Sequence, residues 1–93
     1  MQKIKIIQFG SKTCAPCQAL YLKLQTWLKD YPQIDFEYLD IAEARIQAAQ
    51  ANVLSVPTIQ VYVNEQLFIS ESGYFSLEKI LQQIERLQNL LEA

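Results

Sequence analysis

The apolar periodicity changes from strand to helix and back to strand within the first 41 residues, and this change limits the possible folds most. Residues 3–9 are rich in β-branched residues and at first alternate lysine with isoleucine, which predicts a strand. Apolar residues over positions 15–31 recur at helical spacing, and Pro32 follows, which predicts one amphipathic helix that ends there. Residues 35–41 alternate again and predict a second strand. Two strands joined by a helical crossover are expected to lie parallel in one sheet.

The second half of the chain adds a helix, a hairpin and a final helix. Residues 42–51, rich in Ala and Gln, predict a short helix, and residues 58–63 predict a strand. Residues 64–66 are a tight connection to a returning strand over residues 67–71, so the last two strands form a hairpin. Ser76 can cap the last helix. The predicted buried stripe of that helix comprises Leu77, Ile80, Leu81, Ile84, Leu87 and Leu91.

The predicted order β-α-β-α-β-β-α indicates an α/β fold with a central mixed four-stranded sheet flanked by three helices. Half of the 93 residues are apolar and 11% are aromatic, which is enough for one core. No internal repeat or interdomain linker interrupts the sequence. We therefore expect residues 1–93 to form a single domain.

Charge and hydropathy argue against several classes of partner. The net charge is −2 and the charged residues are scattered, so we expect no nucleic acid partner. No apolar stretch is long enough to span a bilayer, so we expect no membrane partner. Lysines interrupt the first residues before any signal-peptide core could form. The chain is therefore expected to be cytoplasmic, and a monomer by default.

Both cysteines, Cys14 and Cys17, lie where the first strand gives way to the first helix. A helix N-terminus stabilises an anion, so a thiolate is favoured there, and a cysteine one turn later can reach it. Pro16 is tolerated in a first helical turn. A structural zinc site typically uses four Cys or His ligands, and this chain has two Cys and no His, so we expect no metal. An inert buried pair remains an alternative to the favoured redox centre.

Three separate segments resemble the thioredoxin superfamily. They are residues 9–17, with the sequence FGSKTCAPC, residues 56–58, with the sequence VPT before the third strand, and Gly73 after the fourth strand. The resemblance covers nearly the whole chain and implies a thioredoxin-like fold. It also implies that Cys14 is the attacking thiolate, that Cys17 is the buried resolving thiol, and that the two form a redox-active disulfide.

The resemblance further implies a substrate-binding surface around this pair. Val56 and Pro57 would form a cis-peptide motif whose backbone pairs with a bound substrate strand. Gly73 would leave room for the substrate; the alternative is that it is simply a turn glycine. Substrate contacts would also come from three neighbours of the cysteines: Thr13, Ala15 and Pro16.

The implied activity is dithiol–disulfide exchange, in which the protein reduces the disulfides of other proteins. No cofactor is implied, because the cysteines themselves carry the electrons. The implied partners are a disulfide-containing protein substrate and an upstream reductase.

The sequence departs from the family pattern around and beneath the motif. Thioredoxins typically have W-C-G-P-C, whereas Thr13 and Ala15 stand here at the Trp and Gly positions. Thr13 could supply a hydroxyl, cap the helix or simply be solvated. Thioredoxins have a buried aspartate six residues before the first cysteine, and a lysine accompanies it. In this sequence Gln8 stands at the position of the aspartate and Tyr38 at that of the lysine. Glutamine cannot act as a base, so we hypothesise that Cys17 loses its proton to water or to a mobile acidic group and that the second exchange step is therefore slowed.

Two other functions remain open. A glutaredoxin-type reductase that uses glutathione would share C-x-x-C and Val-Pro, but its glycine pair and acidic residue are absent from residues 72–76. A thioredoxin fold could also serve as an adaptor or redox sensor with weak turnover.

Lys12 lies close enough to Cys14 to stabilise a thiolate, although an exposed loop lysine is the favoured interpretation.

Overall fold

The elements follow the predicted order β-α-β-α-β-β-α. The computed structural model describes residues 3–92 and contains four strands, β1 (Ile4–Gly10), β2 (Asp35–Asp40), β3 (Thr58–Val63) and β4 (Gln66–Ser72). The helices are α1 (Ala15–Leu28), α2 (Arg45–Gln50) and α3 (Leu77–Glu92).

The four strands form one mixed sheet, as predicted, and their order across the sheet is β2-β1-β3-β4. β1 pairs parallel to β2, with Gln8 level with Tyr38, and antiparallel to β3, with Gln8 level with Ile59. β3 and β4 pair antiparallel as a hairpin. β1 lies at the centre because it is apolar on both faces: Ile6 and Phe9, which point to opposite faces, are both buried.

The main core lies between one face of the sheet and two helices, α1 and α3. Its buried residues are Ile4, Ile6, Leu20, Leu24, Ile34, Ile59, Val61, Ile80 and Ile84. The predicted stripe of α3 is therefore confirmed as its packed side. The opposite face carries α2, where the Nε2 of Gln60 donates to the carbonyl of Ala51 at 3.0 Å. Burying an amide is tolerated there because the hydrogen bond replaces its contacts with water.

The first helix ends earlier than the sequence predicts. α1 stops at Leu28, and the next residues form tighter turns in which the backbone N–H of Asp30 donates to the carbonyl of Trp27 at 3.1 Å. The prediction that Pro32 ends the helix is therefore wrong. The turns also place Tyr31 on the ring of Trp27, with centroids 4.3 Å apart.

The second helix is shorter than predicted because a side chain competes for the backbone at its start. The Oδ1 of Asp40 accepts from the N–H of Ala42 at 2.8 Å, and the Asp40 carbonyl accepts from that of Ala44 at 2.7 Å. Such local bonds offer the backbone an alternative to helix, so α2 begins only at Arg45.

The turn of the hairpin and the first residue before the last helix explain where β4 and α3 begin. Asn64 and Glu65 both have positive φ and form a two-residue turn. β4 therefore begins at Gln66, one residue earlier than the sequence predicts. The Oγ of Ser76 accepts from the N–H of Lys79 at 3.3 Å, which confirms the predicted cap of α3. Over residues 3–92, no helix combines the length and apolar character needed to cross a bilayer.

Candidate active site

The two cysteines form a disulfide at the start of α1, with sulfurs 2.09 Å and Cα atoms 5.2 Å apart. Cys14 is the N-cap residue, and its sulfur accepts a hydrogen bond from the backbone N–H of Cys17 at 3.1 Å. Cys17 lies inside the fold with 0% exposure, whereas Cys14 is half-buried. Pro16 occupies the first turn, where its missing N–H costs no helical hydrogen bond. One sulfur is therefore accessible at the helix end, and the other is enclosed.

The residues next to and between the two cysteines are exposed. Thr13, Ala15 and Pro16 all face solvent around the disulfide. The possibility that Thr13 caps the helix is wrong, because Cys14 occupies that position. Thr13 instead places its hydroxyl 3.4 Å from that of Ser11.

Lys12 forms an ion pair with Glu43. Its Nζ lies 3.0 Å from the carboxylate of Glu43, and both side chains are exposed. The hydrogen bond to Glu43 raises the pKa of Lys12. The negative charges of Glu43 and Asp40 raise it further. An exposed lysine already paired in this way matches the favoured interpretation of a loop residue.

A groove beside the disulfide contains two further residues that the sequence singled out. The Val56–Pro57 bond is cis, the isomer that the resemblance implies, and the carbonyl of Pro57 accepts from the N–H of Gly73 at 2.9 Å. Pro16, Pro57 and Gly73 line this groove, which has a volume of about 550 Å³. Thr13, Ala15 and Val56 are not among its lining residues.

The backbone explains why residue 73 is a glycine. Its φ is +75°, a left-handed conformation that other residues adopt at a cost, and a Cβ built there would meet no heavy atom within 4 Å. Tyr74, which follows and is fully exposed, lines the groove together with Phe75. The sequence motifs did not point to these two aromatics, although their position directly after Gly73 was a usable signal.

Gln8 lies beneath the disulfide and ties the first helical turn to the sheet. Its side chain is 0% exposed, and its Nε2 donates to the carbonyl of Cys17 at 2.9 Å. Its Oε1 has no hydrogen-bond partner among the described residues. An unsatisfied buried acceptor typically costs about 1–3 kcal/mol, so this atom requires an explanation.

Tyr38 lies beside Gln8 on the neighbouring strand, and its hydroxyl lies above Gly10. A Cβ on Gly10 would overlap that hydroxyl and would lie 3.1 Å from the Cβ of Cys17. The Tyr38 ring meets the Tyr21 ring edge-on, with centroids 5.6 Å apart. Gly10 is therefore needed for space, a role that the sequence did not reveal.

The Tyr38 hydroxyl is buried and has no partner at hydrogen-bonding geometry among residues 3–92. Burial raises the pKa of Tyr38, the charge of Asp40 adds to the rise, and the nearby Gln18 side chain partly opposes it. The hydroxyl is therefore held neutral. Gln8 and Tyr38 thus form a neutral pair, and neither leaves an uncompensated charge beneath the disulfide.

Comparison with known proteins gives consistent relatives. The Thioredoxin family model matches residues 1–86. The thioredoxin of Acetoanaerobium sticklandii is 39% identical over 62 residues, covering 66% of this chain and 59% of that protein. Thioredoxin-1 of Saccharomyces cerevisiae is 29% identical over 62 residues, covering 67% of this chain and 60% of that protein. The matches therefore span about 60% of the length of these two relatives.

Solved structures agree with the sequence relatives. Thioredoxin 1 from the thermophilic eubacterium Thermosipho africanus TCF52B superposes with a TM-score of 0.88 at 30% identity, covering 96% of this chain and 99% of that chain. Its coverage shows that the whole element order of this fold is shared. The chain therefore belongs to the thioredoxin family and carries a disulfide-forming cysteine pair at the start of its first helix.

Proposed function

We propose that the protein is a thiol–disulfide oxidoreductase that reduces disulfides in other proteins. Proteins of the thioredoxin family typically act on disulfide substrates. The observation that carries the proposal is the disulfide itself, with an accessible Cys14 sulfur at a helix end and a fully buried Cys17. This asymmetry suits a nucleophile and a resolving thiol, because only the first needs to meet a substrate.

The reaction consists of two exchange steps. The Cys14 thiolate attacks one sulfur of a substrate disulfide, which forms a mixed disulfide and releases the other substrate sulfur as a thiolate. The Cys17 thiolate then attacks the Cys14 sulfur, the bond to the substrate breaks, and the second substrate thiol is released. The substrate gains two electrons and the Cys14–Cys17 pair loses them. The backbone N–H of Cys17, which donates to the Cys14 sulfur, also stabilises the anion on that sulfur.

Substrate binding is assigned to the groove and its surroundings. Pro16, Pro57 and Gly73 line the groove, and the half-buried Val56 immediately precedes the cis bond. We propose that an extended substrate segment lies along these residues. Two exposed residues next to Cys14 complete the contact surface: Thr13 and Ala15.

We also propose that the protein works as a monomer in the cytoplasm, where thiols are kept reduced. An upstream reductase restores the dithiol after each turnover, and no bound cofactor is required.

Reduction of insulin by dithiothreitol, with and without the protein, tests the activity. We expect catalysis by the wild-type protein and loss of it in the Cys14→Ser variant. The Cys17→Ser variant should accumulate mixed disulfides with protein substrates, since the resolving step is blocked. An adaptor would instead bind its partner equally well with both cysteines replaced, and that result would refute the proposal.

Two further measurements define the class of reductant. The reduction potential of the pair, measured against glutathione buffers, should lie near the thioredoxin value of about −270 mV rather than near the oxidant value of about −120 mV. A glutathione mixed disulfide with glutathione as the sole reductant should be a poor substrate. Efficient turnover there would favour the glutaredoxin-type alternative.

A further inference from the structure

The second exchange step requires that Cys17 lose a proton inside the fold. This thiol is fully buried, and Gln8, which lies beneath it, does not titrate. Gln8 already uses its amide N–H to hold the Cys17 carbonyl. A proton leaving the thiol therefore needs another route to solvent.

The Tyr38 hydroxyl is placed to begin such a route. It borders the same space above Gly10 as the Cβ of Cys17, and that space exists only because residue 10 has no side chain. The hydroxyl oxygen and the Oε1 of Gln8 are both buried without a hydrogen-bond partner among the described residues. The two residues face each other across the β1–β2 pairing. Two neighbouring buried polar groups without a partner require an explanation, and a role in redox chemistry is one such explanation.

A small cavity adjoins Tyr38. It has a volume of about 220 Å³ and is lined by Gln18, Tyr21 and Tyr38. Gln18 is exposed and Tyr21 is partly exposed, so this cavity meets the surface. The Tyr38 hydroxyl therefore lies next to Cys17, and the Gln18 side chain that acts on this hydroxyl lines a cavity that meets the surface.

We propose that Tyr38 relays the proton of Cys17 to solvent during the resolving step, and this rests on the proposed function. The thiol proton moves to the hydroxyl oxygen while the hydroxyl proton leaves to water in the cavity beside Gln18. The Cys17 thiolate then attacks the Cys14 sulfur, and the departing substrate thiolate takes a proton from solvent. Tyr38 ends the step unchanged, so it is a positioning and relay residue and needs no net ionisation.

The surrounding titratable groups are compatible with a neutral relay. Tyr21 and Cys17 face the Tyr38 side chain from α1, and Asp40 acts on it from its own strand. Gln8 and Gly10 are its neighbours on β1 and do not titrate. The Asp40 charge and burial both raise the pKa of Tyr38, which favours a hydroxyl that passes protons over a stable phenolate.

Stopped-flow reaction of the reduced protein with an aromatic disulfide that releases a coloured thiolate tests the relay. The first phase reports attack by Cys14, and the second reports resolution by Cys17. Cys17→Ser should retain only the first phase, which assigns the two. Tyr38→Phe should slow the second phase about tenfold or more near neutral pH, below the full 10²–10⁴-fold range of proton-transfer catalysis because water can still reach the thiol.

The pH profile separates a relay from a packing role. The slowing in Tyr38→Phe should disappear at high pH, where hydroxide removes the thiol proton directly, and the first phase should be unchanged throughout. Tyr62→Phe is the matched control, since its hydroxyl bonds Gln60 on the opposite face of the sheet. A second phase that is unchanged in Tyr38→Phe, or slowed equally at every pH, overturns the relay.

The solvent isotope effect provides a second test. A relay moves two protons together, so the second-phase rate should fall more steeply in D₂O for the wild-type protein than for Tyr38→Phe, in which one proton moves. Equal isotope effects in the two proteins overturn the relay while leaving the proposed function intact. Absence of both phases instead overturns the proposed function, and the relay with it.

Discussion

Replacement of the buried Gln8 by its isosteric acid, Gln8→Glu, tests how dry the space beneath the disulfide is. Gln8 is 0% exposed, and its Nε2 holds the Cys17 carbonyl at 2.9 Å. A protonated carboxyl in its place can still donate that hydrogen bond. An ionised carboxylate cannot, and no lysine accompanies it, because Tyr38 occupies the neighbouring position. The folded state should therefore strongly prefer the protonated form.

The expected magnitude follows from burial. Full burial raises the pKa of a carboxyl by up to 3–5, and we take a rise of about 3. At 1.36 kcal/mol for each pKa unit, folding then loses about 4 kcal/mol at a pH above the folded-state value. Most of this loss develops between about pH 5 and pH 8, because the unfolded carboxyl ionises near its ordinary pKa of about 4.3. Stability therefore falls as pH rises through this window.

Urea unfolding at several pH values measures this loss directly. Against a typical stability of about 5–15 kcal/mol, the variant should fold at pH 5 and be markedly weakened at pH 8. Gln82→Glu, on the exposed side of α3, is the control and should show little pH dependence beyond that of the wild type. If Gln8→Glu loses the same stability at both pH values, the carboxyl is hydrated and our account of the site is wrong.

Two further substitutions test side-chain packing through its effect on stability. Gly10→Ala should destabilise the fold by about 1–3 kcal/mol, a typical cost of overpacking, because the added methyl group meets the Tyr38 hydroxyl; an unchanged melting temperature would contradict the predicted overlap. Trp27→Phe should cost about 1 kcal/mol in urea unfolding, since the indole N–H donates to the Glu85 carboxylate at 2.9 Å; Glu85→Gln, which retains an acceptor, should lose less.

Local sequence patterns predicted most of the fold. Strand and helix periodicity depend on a few neighbouring residues, so the element order and the hairpin could be predicted before any contact was known. The ends of elements were less predictable, because hydrogen bonds decide them. The carbonyl and carboxylate of Asp40 delay α2, and the turns after Leu28 end α1 before Pro32.

The candidate site divides in the same way. The cysteine pair was predictable because its chemistry needs only a fixed spacing at a helix start. The resemblance to thioredoxins, which have an aspartate at the position of Gln8, pointed to that residue. The groove was only partly readable, because Tyr74 and Phe75 become relevant through their proximity to Pro16 and Pro57. Those residues are distant in the chain and meet only in the folded protein.

The sequence by itself determined the order of elements and the chemistry of the Cys14–Cys17 pair, since both follow from short-range spacing and backbone propensity. Only the tertiary structure decided how the buried proton can leave. The register between β1 and β2 places Tyr38 beside Gln8, and Gly10 leaves the space that the Tyr38 hydroxyl occupies next to Cys17. Strand register and side-chain packing arise from contacts across the chain, which no local pattern encodes.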